Sequence, residues 1–367
     1  MILVSAIEVG SVRSLLPVCT ELLNQKFDII VDKKGFFKEK ECNYLDSLFV
    51  NLDYDDSSIK SFLISNSVKV LLFSVNINDT FPLKIARIAQ SININTIHVL
   101  DYWNGYVSRM QLDGGKVFQP TKYLVPDEYA KKEAIVNGVR ENDIVITGQP
   151  ALSDNAEAFL QNNVSSNLGV EIAQNIKNKK TVLFASEPVS LDQGESLEEN
   201  KNFRGYVEKD ALKVLIQSLK GINEEFYVII VPHPRQNIQE LKATWRLLGG
   251  DAYGDVLSGI RGRDLLPLVS GVSGMSSTLL YEAWLVGIPV LSIQPGLLID
   301  SLRMMQKKDG VIFIDNYNSS VKVAKKWLGT INNKIKYIFQ SDINLHINAP
   351  KSVVSEIISL VQIELRK

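Results

Sequence analysis

The chain has 367 residues, with 40 Lys plus Arg against 41 Asp plus Glu and an apolar fraction of 45%. That length exceeds one ordinary core and predicts two domains of about 150–200 residues, and the apolar fraction argues against extensive disorder. The even charge balance excludes a field that would gather nucleic acid non-specifically, and two cysteines, Cys19 and Cys42, exclude a disulfide scaffold and suggest a reducing compartment.

In chain order, short apolar runs alternate with longer amphipathic ones, the rhythm of βαβ units around a parallel sheet. Strands are predicted at residues 1–5, 27–31, 68–73, 96–100, 122–125 and 143–147, with helices at 12–24 and 82–91. Gly148-Gln149-Pro150 is a strong break. The stretch 153–180 is polar, rich in Asn and Ser, and reads as a connection holding one helix. The rhythm restarts with strands at 181–186, 227–232, 271–273, 289–293 and 311–314 and helices at 208–220, 236–248, 277–285 and 321–327. An amphipathic segment at 349–366 closes the chain, with a face for the first domain or for a dimer contact. The expected architecture is α/β: two Rossmann-like, doubly wound domains facing a cleft, at 1–152 and 181–348, with a linker at 153–180 and a final helix at 349–367. Ligands of such sheets sit at the carboxyl ends of the strands. The chain opens on an apolar strand without a basic, cleavable leader, and no apolar run reaches the roughly 18–20 residues of a membrane span. A cytoplasmic protein is expected.

The strongest local signal is Val272-Ser273-Gly274-Met275-Ser276-Ser277-Thr278-Leu279-Leu280-Tyr281-Glu282-Ala283. A strand runs into a Gly and hydroxyl turn and a helix starts at once, so outward-pointing N–H groups can hold an anion. Ser276 or Ser277 can cap the helix and donate to a phosphate oxygen, with Thr278 beside them and Glu282 in reach of ribose hydroxyls. The alternative is a plain capped helix with a surface Glu. A second signal is His233-Pro234-Arg235 after an apolar strand, where His233 donates to phosphate and Arg235 adds a forked donor; the alternative is a loop histidine held by its own backbone. Ser186 and Glu187, closing the first strand of the second domain, are candidate ligand contacts or an ordinary turn. Gly205-Tyr206 is a candidate aromatic surface for a base.

In the first domain, Gly10 and Ser11 follow the opening strand and suit a phosphate or an acceptor. The run His98-Val99-Leu100-Asp101-Tyr102-Trp103-Asn104-Gly105-Tyr106 ends a buried strand in a carboxylate amid aromatics. A carboxylate in such a partly dry place has the raised pKa of a general base, and aromatic faces such as Trp103 suit sugar rings. The alternative has Asp101 capping a turn and Trp103 in the core. Arg109 is a partner for a charged ligand or for Asp101. Neither metal-binding spacings nor a Walker loop nor a GxSxG elbow is present, so a reaction without metal or cofactor is expected.

The segment Ser273–Leu291 resembles the donor-binding segment of GT-B glycosyltransferases and of the related UDP-GlcNAc 2-epimerases. His233-Pro234 resembles the HP motif, and Ser276-Ser277 the serine motif, of bacterial sialyltransferases and of capsule or lipopolysaccharide glycosyltransferases. The resemblance implies a GT-B fold, a C-terminal donor domain and an N-terminal acceptor domain. It implies that His233 contacts the phosphate of a CMP donor, that Ser276 and Ser277 support it, and that Glu282 binds ribose. The catalytic carboxylate of that family lies in an acidic-acidic-Gly motif; here Asp101 is followed by Gly105, and Asp113-Gly114 is a partial match. The GTRPE motif of the epimerases is absent, and Glu8-Val9-Gly10-Ser11 stands in its place. The expected activity is transfer of a sugar, such as a nonulosonic acid from CMP, to a glycan or lipid-linked acceptor in surface polysaccharide synthesis, with loose contact to a membrane face. An epimerase and a catalytically silent nucleotide-sugar binding protein are the alternatives.

Overall fold

The computed structural model describes residues 1–36, 40–76, 79–154, 176, 179–331 and 340–365. The chain divides into two compact units, Met1–Glu157 with Ser341–Lys367, and Ala158–Gln340. Most of the stretch expected as a linker lies outside the described residues.

The strands of the first unit are β1 (Ile2–Ser5), β2 (Ile29–Asp32), β3 (Phe49–Val50), β4 (Val70–Phe73), β5 (Asn95–Val99), β6 (Lys122–Val125) and β7 (Ile144–Ile146). They form one sheet in the order β3-β2-β1-β4-β5-β6-β7, parallel at every pairing. β1 and β4 are buried at every position, because a strand covered on both faces needs apolar residues on both and reads as a run rather than an alternation. The helix Val9–Asn24 buries Val12, Leu15, Leu16, Cys19 and Leu22, the three-to-four spacing of one helical face. The closing helix, Ala349–Leu365, sends Val353, Val354, Ile357 and Leu360 into this same core. Where it arrives, Gly148 has φ +85°, and a Cβ there would lie 2.4 Å from the Leu345 carbonyl oxygen. Only glycine fits that conformation and that approach. Next to it the Gln149 N–H donates to Nδ1 of buried His346 at 2.9 Å.

The second unit holds β8 (Lys180–Ala185), β9 (Phe226–Val231), β10 (Gly254–Val256), β11 (Gly271–Gly274), β12 (Val290–Ile293) and β13 (Ile312–Ile314). Their order is β10-β9-β8-β11-β12-β13, again parallel throughout. Its separate core includes Leu212, Leu215 and Leu219 of the helix Glu208–Leu219 and Trp327 and Leu328 of the helix Ser320–Thr330. Each sheet therefore reverses strand order at one point, between β1 and β4 in the first and between β8 and β11 in the second. That reversal opens a crevice at the carboxyl ends of the central strands.

Three elements differ from the sequence reading. The first helix begins at Val9, not at residue 12, so Gly10 and Ser11 lie on its first turn. Their low helix propensity is overridden by tertiary contacts described below. β3 and β10 are additional edge strands; β3 has two residues and β10 reads Gly-Asp-Val, so neither carries an apolar run. Gly254 is needed there because a Cβ would come 1.9 Å from the Val228 carbonyl oxygen of β9. Among the described residues no helix is long and apolar enough to cross a membrane.

Candidate functional site

In the second unit three neighbouring strands deliver the predicted residues. Ala185 closes β8 and pairs with Gly274 of β11 on one side and Val231 of β9 on the other. The residues just beyond are Ser186-Glu187 and Met275-Ser276, which flank the reversal of strand order, and Pro232-His233 beside them after β9. Gly274 belongs to this crossing: a Cβ on it would lie 2.8 Å from the Ala185 carbonyl oxygen.

Ser277 is the N-cap of the helix Thr278–Leu285, its Oγ accepting from the Leu279 N–H at 3.3 Å. Ser276 does something else. Its backbone N–H donates to Glu187 Oε1 at 2.6 Å and its hydroxyl donates to Glu187 Oε2 at 2.7 Å. Arg204 completes the grip: its Nη1 donates to Ser276 Oγ at 3.0 Å and stands 3.4 Å from Glu187 Oε2, while its Nε donates to Gln193 Oε1 at 2.5 Å. The side chains of Arg204 and Glu187 are only 13% and 14% exposed, so little water competes and the pairing is stronger than one on the surface. One backbone N–H, one hydroxyl and one guanidinium thus close on the two oxygens of a single anion.

Gln236 ties His233 to this group. Its Oε1 accepts from the His233 N–H at 2.9 Å, and its Nε2 donates to the Glu187 carbonyl at 3.2 Å. His233 Nδ1 accepts from the Arg235 N–H at 3.2 Å, so the neutral ring carries its proton on Nε2, the donor form that an anionic oxygen needs. The ring is held by its own backbone, and that same contact sets the tautomer. Ser186 is 4% exposed, and its hydroxyl has no hydrogen-bond partner among the described residues. Pro234, in its loop, and Thr278, the first residue of its helix, are exposed.

The other residues singled out in this unit have partners within it. Arg235 closes its fork on Asp192, at 2.5 and 2.7 Å, within the unit itself. Glu282 is 5% exposed, which sets aside the alternative of a surface Glu, and its Oε1 accepts from Arg263 Nη2 at 3.3 Å. Tyr206 offers no ring to a base: it is wholly buried, its hydroxyl donating to Gln294 Oε1 at 2.9 Å.

In the first unit the fold joins Ser11, Asp101 and Arg109. Asp101 Oδ2 accepts from the Ser11 hydroxyl at 2.9 Å and Oδ1 is ion-paired with Arg109 Nη1. Both charged side chains are about nine-tenths buried or more, at 5% and 6% exposure. Arg109 Nη2 donates to Asn104 Oδ1 at 3.0 Å, and Gln149 Nε2 donates to the Asp101 carbonyl at 2.8 Å. A Cβ on Gly10 would lie 3.4 Å from Asp101 Oδ2, so the helix start passes directly beside the carboxylate. Of the partners the sequence offered Arg109, the structure brings it to Asp101: each carboxylate oxygen is engaged, one by Arg109 and one by the Ser11 hydroxyl. The reading of Trp103 is corrected. It is 1% exposed and its Nε1 donates to Asp127 Oδ2 at 2.8 Å, so it belongs to the core and presents no face to a sugar. The side chain of Asp113 lies outside the described residues.

Arg204, Gln236, Asn104 and Gln149 were not singled out from the sequence. Gln236 sits three residues beyond His233, a spacing suited to closing a turn. Arg204 lies in an aperiodic polar loop, and nothing local marks it.

No family model matches the chain, and no curated protein matches it in sequence. Solved structures do match in shape. A glycosyltransferase from Rickettsia africae ESF-5 superposes with a TM-score of 0.68 at 12% identity, covering 98% of each chain. A UDP-N-acetylglucosamine 2-epimerase from Rickettsia bellii gives 0.64 at 16% identity over 100% of this chain and 98% of that one. The UDP-GlcNAc 2-epimerase from Neisseria meningitidis, solved bound to UDP-GlcNAc, gives 0.60 at 12% identity over 98% and 99%. Likeness at such identities is a likeness of fold, and with the strand order of the two sheets it gives this chain the pair of Rossmann-like domains of the GT-B type.

Proposed function

We propose that the chain is a glycosyltransferase that takes a sugar from a nucleotide donor, with the donor phosphate bound in the second domain. The observation that carries this reading is the anion grip at the reversal of strand order, where Ser276 N–H, Ser276 Oγ and Arg204 hold a carboxylate. His233 is tied to that group through Gln236, and in this reading its ring contacts the donor phosphate. In the reaction the acceptor hydroxyl oxygen bonds to the anomeric carbon as the bond from that carbon to the phosphate oxygen breaks, and the hydroxyl proton passes to solvent or to the departing phosphate. Negative charge grows on the leaving phosphate, and fixed donors aimed at that charge lower the barrier without reorganising. His233, Ser276 and Arg204 supply such donors from protein groups alone. On the acceptor side, Asp101 acts as a positioning group that holds Arg109 and Ser11. For it to take the acceptor proton itself, Arg109 would have to swing away.

Within this reading the donor is a CMP-linked nonulosonic acid and the acceptor a surface glycan or its lipid-linked precursor, on the likeness of His233-Pro234 and Ser276-Ser277 to the sialyltransferase motifs. A second reading has its own support: two of the fold relatives are 2-epimerases, one of them bound to UDP-GlcNAc. An epimerase would rearrange a UDP-sugar with no acceptor present. Thermal-shift titration of the full chain with CMP, CDP, UDP and GDP names the base, since a ligand bound at 100 times its Kd stabilises by about 2.7 kcal/mol. Incubation with the matching nucleotide sugar then decides the reaction. Product formed only with an added glycan acceptor supports the transferase, product formed without one supports the epimerase, and stabilisation by no nucleotide refutes both.

A further inference from the structure

We propose that Glu187 is a built-in competitor for the anion site of the second domain, so that a ligand's phosphate binds by displacing its carboxylate from Ser276 and Arg204. This rests on the reading of that same site given above and adds how its affinity is set. The Glu187 oxygens accept from the Ser276 N–H and hydroxyl at 2.6 and 2.7 Å, and Arg204 reaches both Ser276 Oγ and Glu187 Oε2. These are the donors a phosphate uses: a backbone N–H beside a helix start, a hydroxyl and a guanidinium. A carboxylate and a phosphate present similar pairs of oxygens to them, and both cannot hold the same hydrogens.

The surroundings suit exchange. Glu187 is the second residue past β8 and comes from a loop rather than from the strand. Arg204 also comes from a loop, between the helices Val189–Gln193 and Glu208–Leu219. Ser186, next to Glu187, keeps a buried hydroxyl without a partner among the described residues. Polar groups that far from solvent are normally bonded, so an oxygen-rich ligand at this loop would relieve a cost the loop now carries. If Glu187 leaves, Arg204 loses a counter-charge and Ser276 loses its acceptor, and an incoming anion regains both. The carboxylate thereby lowers affinity for every anion and selects for one with enough oxygens to replace it.

The test is isothermal titration of the full-length protein and its Glu187→Gln variant with inorganic pyrophosphate, and separately with UDP and CMP. Glutamine keeps the size of the side chain and removes the charge, so the variant should bind pyrophosphate about tenfold tighter, the scale of one charge-assisted hydrogen bond. Equal or weaker binding by the variant, or no binding to either protein, overturns the inference. If pyrophosphate shows the difference while neither UDP nor CMP binds, the CMP-donor and UDP-sugar readings fail and the inference about Glu187 stands. Glu187→Ala serves as a second variant, with unfolding temperature as the check on both. Should neither fold, a crystal structure of the wild-type protein with pyrophosphate decides: Glu187 released from Ser276 supports the inference, and Glu187 still on the Ser276 N–H refutes it.

Discussion

Glu187 and Ser276 lie 89 residues apart in sequence and share two hydrogen bonds, from backbone N–H and from side-chain hydroxyl to one carboxylate. The contact crosses from the loop after β8 to the loop after β11. It therefore closes the reversal of strand order in the second domain with a backbone N–H and a hydroxyl, group types that suit an anion.

Ser276→Ala removes the hydroxyl that links Glu187 to Arg204 and leaves the N–H in place. Two charge-assisted bonds, to Glu187 and from Arg204, are lost from a part-buried site, so stability should fall by at least about 1.5–3 kcal/mol. A urea denaturation series measures it. A change under 0.5 kcal/mol would mean that the three groups are not coupled.

His233→Ala should weaken binding of the preferred nucleotide by about tenfold or more, the scale of a hydrogen bond to a charged group. Unfolding temperature should change little, because the residue is only half-buried and its Nδ1 bonds within its own loop, to the Arg235 N–H. Unaltered affinity by calorimetry would remove His233 from the phosphate site.

Asp101→Asn leaves Arg109 charged and nine-tenths buried. Removing one partner of a buried pair costs about 3–5 kcal/mol. The double variant Asp101→Leu with Arg109→Met has no stranded charge and should recover much of that loss. If Asp101→Asn instead keeps full stability and loses all turnover, the carboxylate is the base after all.

His98 is wholly buried between the rings of Phe73 and Tyr123, and neither ring nitrogen has a hydrogen-bond partner among the described residues. Burial, with Arg109 nearby, pushes its pKa well below the ordinary 6.5. The unfolded chain therefore binds a proton below about pH 6.5 that the folded chain refuses. Stability due to this group is fully present above pH 6.5 and is lost as pH falls toward the folded value. His98→Leu should flatten the acid limb of a plot of unfolding temperature against pH; an unchanged limb would assign it to other groups.

Gly205 has φ +94°, and a Cβ there would sit 1.9 Å from the Gly296 carbonyl oxygen. Gly205→Ala should destabilise by more than about 1 kcal/mol through backbone strain alone. It should also weaken pyrophosphate binding, because Arg204 is the preceding residue. Retained binding in a folded variant would show that the loop tolerates the shift.

Much of this protein is legible in its sequence. Central strands such as Ile2–Ser5 and Val70–Phe73 are buried on both faces, and their apolar runs announce a parallel sheet without reference to anything distant. Loops that follow such strands are where ligands bind, which is why His233, Glu187 and Ser276 stand out on local grounds. What each polar group does was decided by its partners, and partners are matters of tertiary structure. Asp101 reads locally as an acid among aromatics, but Arg109 and Ser11 make it an anchor. Arg235 reads locally as a forked donor, and only the fold shows that the fork meets Asp192. Arg204 carries no local signal at all, because a lone arginine in an aperiodic loop acquires meaning only when the chain brings Ser276 and Glu187 to it. Periodicity records which side of an element faces the core, and it holds no record of which charge will meet which.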